Sequence, residues 1–502
     1  MIDKSISSCA VFPEFSADEA IRYFDRKKQK TLSHIDSLYY SVSVIGDDDN
    51  PDNPSMHTLI SELTAKKQEK MQNPSGLVLW HDLDVTFGGF TQFYQLHLQK
   101  PELYDIFIAA SLPTPDTPRI HVQLRTRYLI ENGAEKAVLL SYSHISSLLL
   151  LYGLSPQSVY ENRIDYAYHT NSVQKLSEIC SDEYLLRHLR SKMRLFSKVG
   201  RIRSDIDLNY FSLGNRKSND IFFRCYDKTR EVVEQSYKSF FIDRWLDAGM
   251  ISQYDAEVLR TAYEMHSYNT GLFVGRIRWY LDHGHDDRRK SDLRQLLRTD
   301  YIKSDNVDDL DRRLRGVLPP VTCVVNLEYQ TKRRFYRSLD DFFDTVEFTN
   351  STGFPDLRRI FSVLSARAEI LDYLTSKTVA FVEDRTDAKS DYCDWWRRLR
   401  ATRVDNDPML SLWRNYDRKT DIRKARRRLA GCIAYTSMVK SDSLGQASFE
   451  DDLINAISTL NDNDFYGKFV DQNTGEIISM EPSDYDEIRI RKARQCRGLI
   501  DP

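Results

Sequence analysis

At 502 residues, with 12% aromatic and 41% hydrophobic content, the chain can bury more than one core, and its negative mean hydropathy marks a soluble composition. A net charge of −3 excludes any argument for nucleic-acid binding from bulk charge, so such an argument must rest on where the cations fall. Seven cysteines, at 9, 180, 225, 323, 393, 432 and 496, form no C-x-x-C pair, which leaves zinc-finger and disulfide-framework readings unsupported and fits a reducing, cytoplasmic compartment.

Residues 1–30 read as a charged helical extension, and the opening MIDKSISSCAVFPEF has no basic segment followed by an apolar run, so no secretory signal is expected. From Ser33, HIDSLYYSVSVIG has the β-branched and aromatic content of a strand. Asp47 to Pro54 is turn-rich loop, Met56 to Gln72 a charged helix, and Gly76 to Phe87 a strand or hairpin broken at Gly88-Gly89. Arg119 to Leu129 reads as a strand. Gly133 then opens an apolar helix that stops at Gly153; its core, Leu139 to Leu151, is too short to span a bilayer. Asn162 to His169 is a strand, and Val173 to about Val199 a charged helix. IFFRCYDK is a strand leading into a helix near Thr229, and Val274 to Leu281 reads as a closing strand.

This order predicts an α+β fold, an antiparallel-dominated sheet backed by helices, with a mostly helical C-terminal region. The predicted divisions are an extension over 1–30, a main domain over 31–285 ending at the linker HGHDDRR, a helical region over 286–465 and a polar tail over 466–502. One further strand is expected from Pro320 to Tyr329, and a turn at Gln472 to Gly475.

The stretch richest in chemistry is Phe211 to Glu231, FSLGNRKSNDIFFRCYDKTRE. Strand alternation sends Arg224, Tyr226 and Lys228 to one face, and Ile221, Phe223 and Cys225 to the other. A phenol between two cations suits attack on a phosphodiester, since the cations favour phenolate and hold the phosphate. The same alternation also describes an ordinary strand face on which Tyr packs against Arg and Lys stems.

The two elements S-L-G-N-R-K-S (212–218) and R-C-Y-D-K-T-R-E (224–231) resemble the nicking signature of the Rep_trans family, the rolling-circle replication initiators of Gram-positive plasmids and related relaxases. Arg163-Ile164-Asp165-Tyr166-Ala167-Tyr168-His169 resembles a second family element, R-x-D-x-A-x-D, on an earlier strand. The resemblance covers roughly residues 30 to 285. It implies that Tyr226 makes a covalent link to DNA, assisted by Lys228 and Arg224. It also implies Mg²⁺ or Mn²⁺ held by Asp165, Asp36 and His169, the last standing where the family commonly has Asp.

DNA contacts are expected from Arg216, Lys217 and Ser218 in the turn, from Arg163 and Arg230, and from Lys332, Arg333 and Arg334 in EYQTKRRFYR. That last segment reads equally as a base-stacking surface or as an amphipathic strand-to-helix junction. Glu231 reads as favouring a helix N-terminus, with a base role as the alternative. The family's closing strand, R-x-E-x-E-L, appears as Arg276-Ile277-Arg278-Trp279-Tyr280-Leu281 without either carboxylate, so Glu264 or Asp282 is expected to substitute unless the metal site differs.

The resemblance implies a cytoplasmic, origin-nicking enzyme acting on single-stranded and hairpin DNA as a homodimer, with a host helicase recruited and no membrane. No G-x-x-x-x-G-K-[ST] loop is present, as expected where the phosphotyrosyl bond conserves the energy of the cleaved link. A conjugative relaxase using the same chemistry is the near alternative, and a DNA-binding regulator that has lost nicking is the alternative of another class.

Overall fold

The computed structural model describes residues 29–44, 54–112, 117–173, 176–193, 195–197, 210–234, 238–298, 302–303, 306–313, 320–345, 355–402, 468–470 and 477–479. The helix expected before residue 29, the acidic loop from Asp47 and the turn at Gln472 to Gly475 lie outside the described residues. The chain divides into two compact units, residues 1–337 with 346–412, and residues 338–345 with 413–502. In the second, a helix Asp340–Thr345 and an antiparallel pair, Lys468–Val470 with Ile477–Ser479, are described.

The first unit is α+β. Its strands are β1 (Thr31–Val44), β2 (Leu79–Trp80), β3 (Leu83–Thr86), β4 (Leu96–Lys100), β5 (Tyr104–Ile108), β6 (Ile120–Leu124), β7 (Pro156–Thr170), β8 (Leu189–Ser191), β9 (Leu195–Ser197), β10 (Tyr210–Leu213), β11 (Ile221–Asp227), β12 (Val325–Lys332) and β13 (Val379–Phe381). Eleven of them form one sheet in the order β2-β3-β4-β5-β6-β1-β7-β12-β11-β10-β9, and every described pairing is antiparallel. β8 and β13 pair separately.

The long strands β1 and β7 form the spine, since their alternating apolar residues can be buried on one face along fourteen and fifteen residues. β12, which the sequence reading set beyond the boundary at 285, lies between β7 and β11 near the middle of this sheet. One face packs Ile164, Tyr166, Tyr168, Leu327, Tyr329 and Phe223 into a core, all nearly inaccessible to water. The helices Arg358–Ser365 and Arg367–Tyr373 lie on that side, with Arg359 reaching Glu161 on β7 and Arg367 reaching Ser33 on β1. The other face is polar, and its β1 and β7 end is covered by the helices Lys228–Glu234, Phe240–Asp247 and Gln253–Glu264, whose core includes Val232, Phe241, Trp245 and Leu259.

The strand expected over Val274 to Leu281 is instead part of the helix Tyr268–His283. Phe273, Ile277 and Tyr280 recur at helical spacing into one cluster with Leu293 and Leu310. Gly271 and Gly275 let this helix approach its neighbour: a Cβ on Gly271 would lie 2.5 Å from Ala262 Cα, and one on Gly275 2.9 Å from Val258 O. Aromatic and β-branched content imitated a strand there, and the glycine-lined packing decided otherwise.

The charged helix expected over Val173 to Val199 is broken into the short helices Leu176–Ile179 and Asp182–His188, followed by β8 and β9. Arg119 to Leu129 is a strand only to Leu124, and the helix Thr126–Asn132 follows. Strands β4 and β5 were not anticipated.

His121 on β6 is buried among Phe90, Phe107 and Tyr39, with Asn162 Nδ2 at 2.9 Å from its Nδ1. Burial pushes its pKa down to about 4. An unfolded chain therefore takes up a proton near pH 6.5 that the folded chain refuses until about pH 4, so stability falls as pH drops through this window. The expected slope from this residue is at most about 1.4 kcal/mol per pH unit. Urea unfolding of wild type and His121→Gln between pH 6.5 and 4.5 checks it, the variant giving the shallower dependence; equal slopes would contradict a neutral His121.

Candidate active site

Register across four strands builds the polar face. Tyr226 on β11 lies opposite Asn326 on β12, which lies opposite His169 on β7, which lies opposite Leu32 on β1. One step along, Arg224, Glu328, Ala167 and His34 form the next row, then Phe222, Gln330, Asp165 and Ser37, with Lys332, Arg163 and Tyr39 beyond. Directly opposed residues share a face, so side chains from distant segments converge on one surface. Arg224 and Tyr226 share this face as alternation predicts, and Arg163, Asp165 and His169 share it too.

Tyr226 is half-buried at the end of β11. The strand stops there because Asp227 turns its carboxylate onto the next helix, accepting from Arg230 N at 3.0 Å and from the Tyr268 hydroxyl at 3.1 Å. The Tyr226 hydroxyl receives a hydrogen bond from Asn326 Nδ2 at 2.8 Å and donates toward Glu328 Oε2 at 3.4 Å. Glu328, almost fully buried, accepts from Arg224 Nη2 through both carboxylate oxygens at 2.7 Å. The Arg224 guanidinium also lies 5.1 Å from the Tyr226 ring centre, and Lys228 Nζ lies 5.8 Å from it.

The three residues of the sequence motif thus converge, but the phenol is not acidified as expected. Burial, supported by Glu328, pushes its pKa up, and the charges of Lys228 and Arg224 offset only part of that. Both cations are already engaged. Arg224 is tied to Glu328, and the wholly buried Lys228 ammonium sits 2.6 Å from Glu231, which is the role Glu231 takes here. A phenol in this state becomes a nucleophile by giving its proton to a neighbouring base, and Glu328 is in line to accept it.

Farther along the face, two imidazoles and a carboxylate meet beneath the helix layer. The His34 and His169 ring centres are 4.4 Å apart, and His34 Nε2 is 3.9 Å from Asp36 Oδ1. Trp245 Nε1 donates to His169 Nδ1 at 3.0 Å, fixing that ring and leaving its proton on the buried Nε2. Burial holds both imidazoles neutral, their pKa values pushed down. Burial alone would push Asp36 up, but the charges of Lys228 and Lys238, together with His34, hold its carboxyl well below the usual range.

His34 Nδ1 and Nε2, His169 Nε2 and Asp36 Oδ1 are buried without hydrogen-bond partners. Because His169 Nδ1 accepts from Trp245, the neutral ring carries its proton on Nε2 and offers no lone pair there; the open ligand atoms are one nitrogen of His34 and Asp36 Oδ1, an imidazole–carboxylate pair that suits Mn²⁺ better than Mg²⁺. Asp165, by contrast, is clamped by Arg163, whose Nε donates to one oxygen at 2.8 Å and whose Nη2 donates to the other. Burial pushes its carboxyl up to about 7, against that clamp.

Of the expected DNA contacts, Arg216, Lys217 and Ser218 are exposed on the turn after Gly214, whose φ of +80° makes the tight reversal possible. Lys332 Nζ donates to the carbonyls of Arg216 and Lys217, and Arg216 Nε donates to Gln330 at 3.2 Å. Arg163 lies opposite Lys332. Arg333 stacks on Tyr160 at 4.5 Å, and Arg334 is exposed, 3.6 Å from Asp220. Arg230 instead lies by the Tyr226 end, bound to Glu234. The turn and β12 therefore form one cationic rim, and Arg230 stands apart from it.

Glu264 and Asp282 are exposed on helices, and the carboxylate that meets Tyr226 is Glu328. Sequence reasoning passed over Glu328 as a site residue, and over Asn326 and His34. The signals were present as period-two patterns, N-x-E-x-Q-x-K over 326–332 and H-x-D over 34–36.

No family model matches this chain, and no curated protein matches it. Among solved structures it is similar to the rolling circle replication initiator protein from Geobacillus stearothermophilus, with 12% identity and a TM-score of 0.31, over 75% of this chain and all of that one. A likeness this loose carries no argument about activity. Among the described residues no helix is long and apolar enough to cross a membrane.

Proposed function

We propose that this chain is a metal-dependent DNA nicking-closing enzyme that initiates rolling-circle replication through a 5′-phosphotyrosyl intermediate at Tyr226. The observation that carries the reading is the Tyr226 hydroxyl held between an amide donor and a carboxylate acceptor, on a sheet face that also bears the neutral His34 imidazole and the ionised Asp36 carboxylate, each with an unpartnered atom.

In the forward step the Tyr226 oxygen bonds to phosphorus as the bond from phosphorus to the 3′ oxygen breaks. The phenolic proton passes to Glu328 and is returned to the departing 3′ oxygen, so one phosphodiester replaces another and no energy source is consumed. Asn326 orients the hydroxyl by donating to its lone pair. Arg224 keeps Glu328 in place and presents positive charge where the phosphate would lie. A divalent ion held by His34 and Asp36 would polarise the phosphate and ease departure of the 3′ oxygen. The rim of Arg216, Lys217, Ser218, Lys332, Arg333 and Arg334 would track the backbone, with Arg163 behind it. Homodimer formation and a host helicase partner belong to this proposal as well.

The absent carboxylates at Arg278 and Tyr280 favour a non-catalytic binder; Glu328, facing Tyr226, supports the enzyme instead. The test is incubation of the full chain with supercoiled plasmid carrying the DNA that flanks its own coding region. Relaxed circles with covalently attached protein are expected with Mn²⁺ and, more slowly, with Mg²⁺, and none after chelation. Binding without relaxation under any divalent cation would contradict the enzyme. Activity confined to a transfer origin would assign the same chemistry to a conjugative relaxase.

A further inference from the structure

A second cluster lies outside the polar face. His188 ends the helix Asp182–His188, Glu383 follows β13 by two residues, and Cys393 caps the helix Asp394–Arg400. They are brought together by backbone bonds between segments far apart in sequence: Val382 N to His188 O at 2.9 Å, and Cys393 N to Phe381 O at 3.0 Å. One ligand atom from each of the three residues lies within 4.8 Å of the other two. Cys393 is buried, His188 half-buried and Glu383 exposed, so the cluster opens to solvent on the carboxylate side.

His188 and Cys393 each have a neighbour that fixes the ligand group. His188 Nδ1 lies 2.9 Å from Val382 O, a carbonyl contact of the kind that orients metal-ligating imidazoles. The Tyr184 hydroxyl donates toward Cys393 Sγ at 3.9 Å and is itself held by Trp395 Nε1 at 3.0 Å, so the sulfur has a fixed donor that would support a thiolate. Among the described residues the Glu383 carboxylate makes no hydrogen bond or ion pair, leaving its charge uncompensated beside the sulfur.

We propose that His188, Glu383 and Cys393 form a zinc site independent of the Tyr226 face. A thiolate with an imidazole selects zinc over the hard divalent ions, and three protein ligands leave a fourth position for water. Binding releases the Cys393 thiol proton to solvent as the sulfur–zinc bond forms. The ion would link the helix Asp182–His188 to the segment 379–400, closing a loop of almost two hundred residues.

The test uses the full chain, stripped by chelator, refilled with Co²⁺ or Zn²⁺ and read by near-ultraviolet absorption and elemental analysis. Wild type is expected to bind zinc and, with Co²⁺, to show a sulfur-to-cobalt charge-transfer band. The band should vanish in Cys393→Ser and persist in Asp36→Asn. Glu383→Gln, exposed and therefore safe for folding, should weaken zinc binding tenfold or more, and Tyr184→Phe about 10- to 100-fold. No band in wild type, a band that survives Cys393→Ser, or unchanged zinc affinity in Glu383→Gln would each overturn the proposal.

Discussion

Tyr226→Phe is expected to abolish covalent DNA attachment and plasmid relaxation, by a factor on the order of 10⁴ or more, while origin binding changes less than about threefold. The substitution removes one oxygen and keeps the ring that packs between Arg224 and Lys228. It deletes the bonds from Asn326 and to Glu328, at a cost of about 1–3 kcal/mol if the partners stay unsatisfied, which leaves the sheet folded. Gel-shift affinity and adduct yield on denaturing gels, measured on the same preparation, separate binding from chemistry. Full attachment by the Phe variant would move the nucleophile elsewhere.

Glu328→Gln is the second large effect, a loss of about 10²- to 10⁴-fold in nicking rate. Glutamine fits the same space and can still meet Arg224, but it cannot accept the phenolic proton as a base. Because the Tyr226 pKa is pushed up rather than down, the variant must wait for hydroxide. Its residual rate is therefore expected to rise about tenfold per pH unit through pH 9, a dependence that loss of packing alone would not produce. Single-turnover rates across pH for wild type and variant check this. A flat profile in the variant would remove Glu328 from the proton path.

What could be read from sequence was whatever lies within one strand. Alternation placed Arg224 with Tyr226, and Arg163 with Asp165 and His169, because neighbours two apart share a face whatever the strand pairs with. The partners of those residues are fixed by register between strands far apart. Glu328 reaches Tyr226 only because β12, about a hundred residues later, inserts between β7 and β11. Alternation shows that Arg163 and Asp165 share a face but not that they bond, so Asp165 reads as a metal ligand until Arg163 is seen to occupy both its oxygens.

His34 was passed over because His34 and His169 meet only across the β1–β7 pair, under Trp245 from a helix still farther along. Electrostatic sign was also illegible: two cations beside a phenol suggest acidification, and only burial and the engaged state of both cations show the reverse. The helix Tyr268–His283 was misread because VGRIRWYL carries strand-like residues, while the decisive information is the approach of Gly271 and Gly275 to the neighbouring helix.

The proposed nicking chemistry requires one oxygen atom, the Tyr226 hydroxyl, to form the bond to DNA. Trypsin cleaves after Arg224 and after Lys228, so the attached DNA should be recovered on the four-residue peptide Cys225-Tyr226-Asp227-Lys228, which contains a single tyrosine. Nuclease digestion of the adduct, followed by mass spectrometry, is expected to find a 5′-nucleotide on that peptide and on no other. A nucleotide on any other tyrosine or serine peptide, with the 225–228 peptide unmodified, would contradict it.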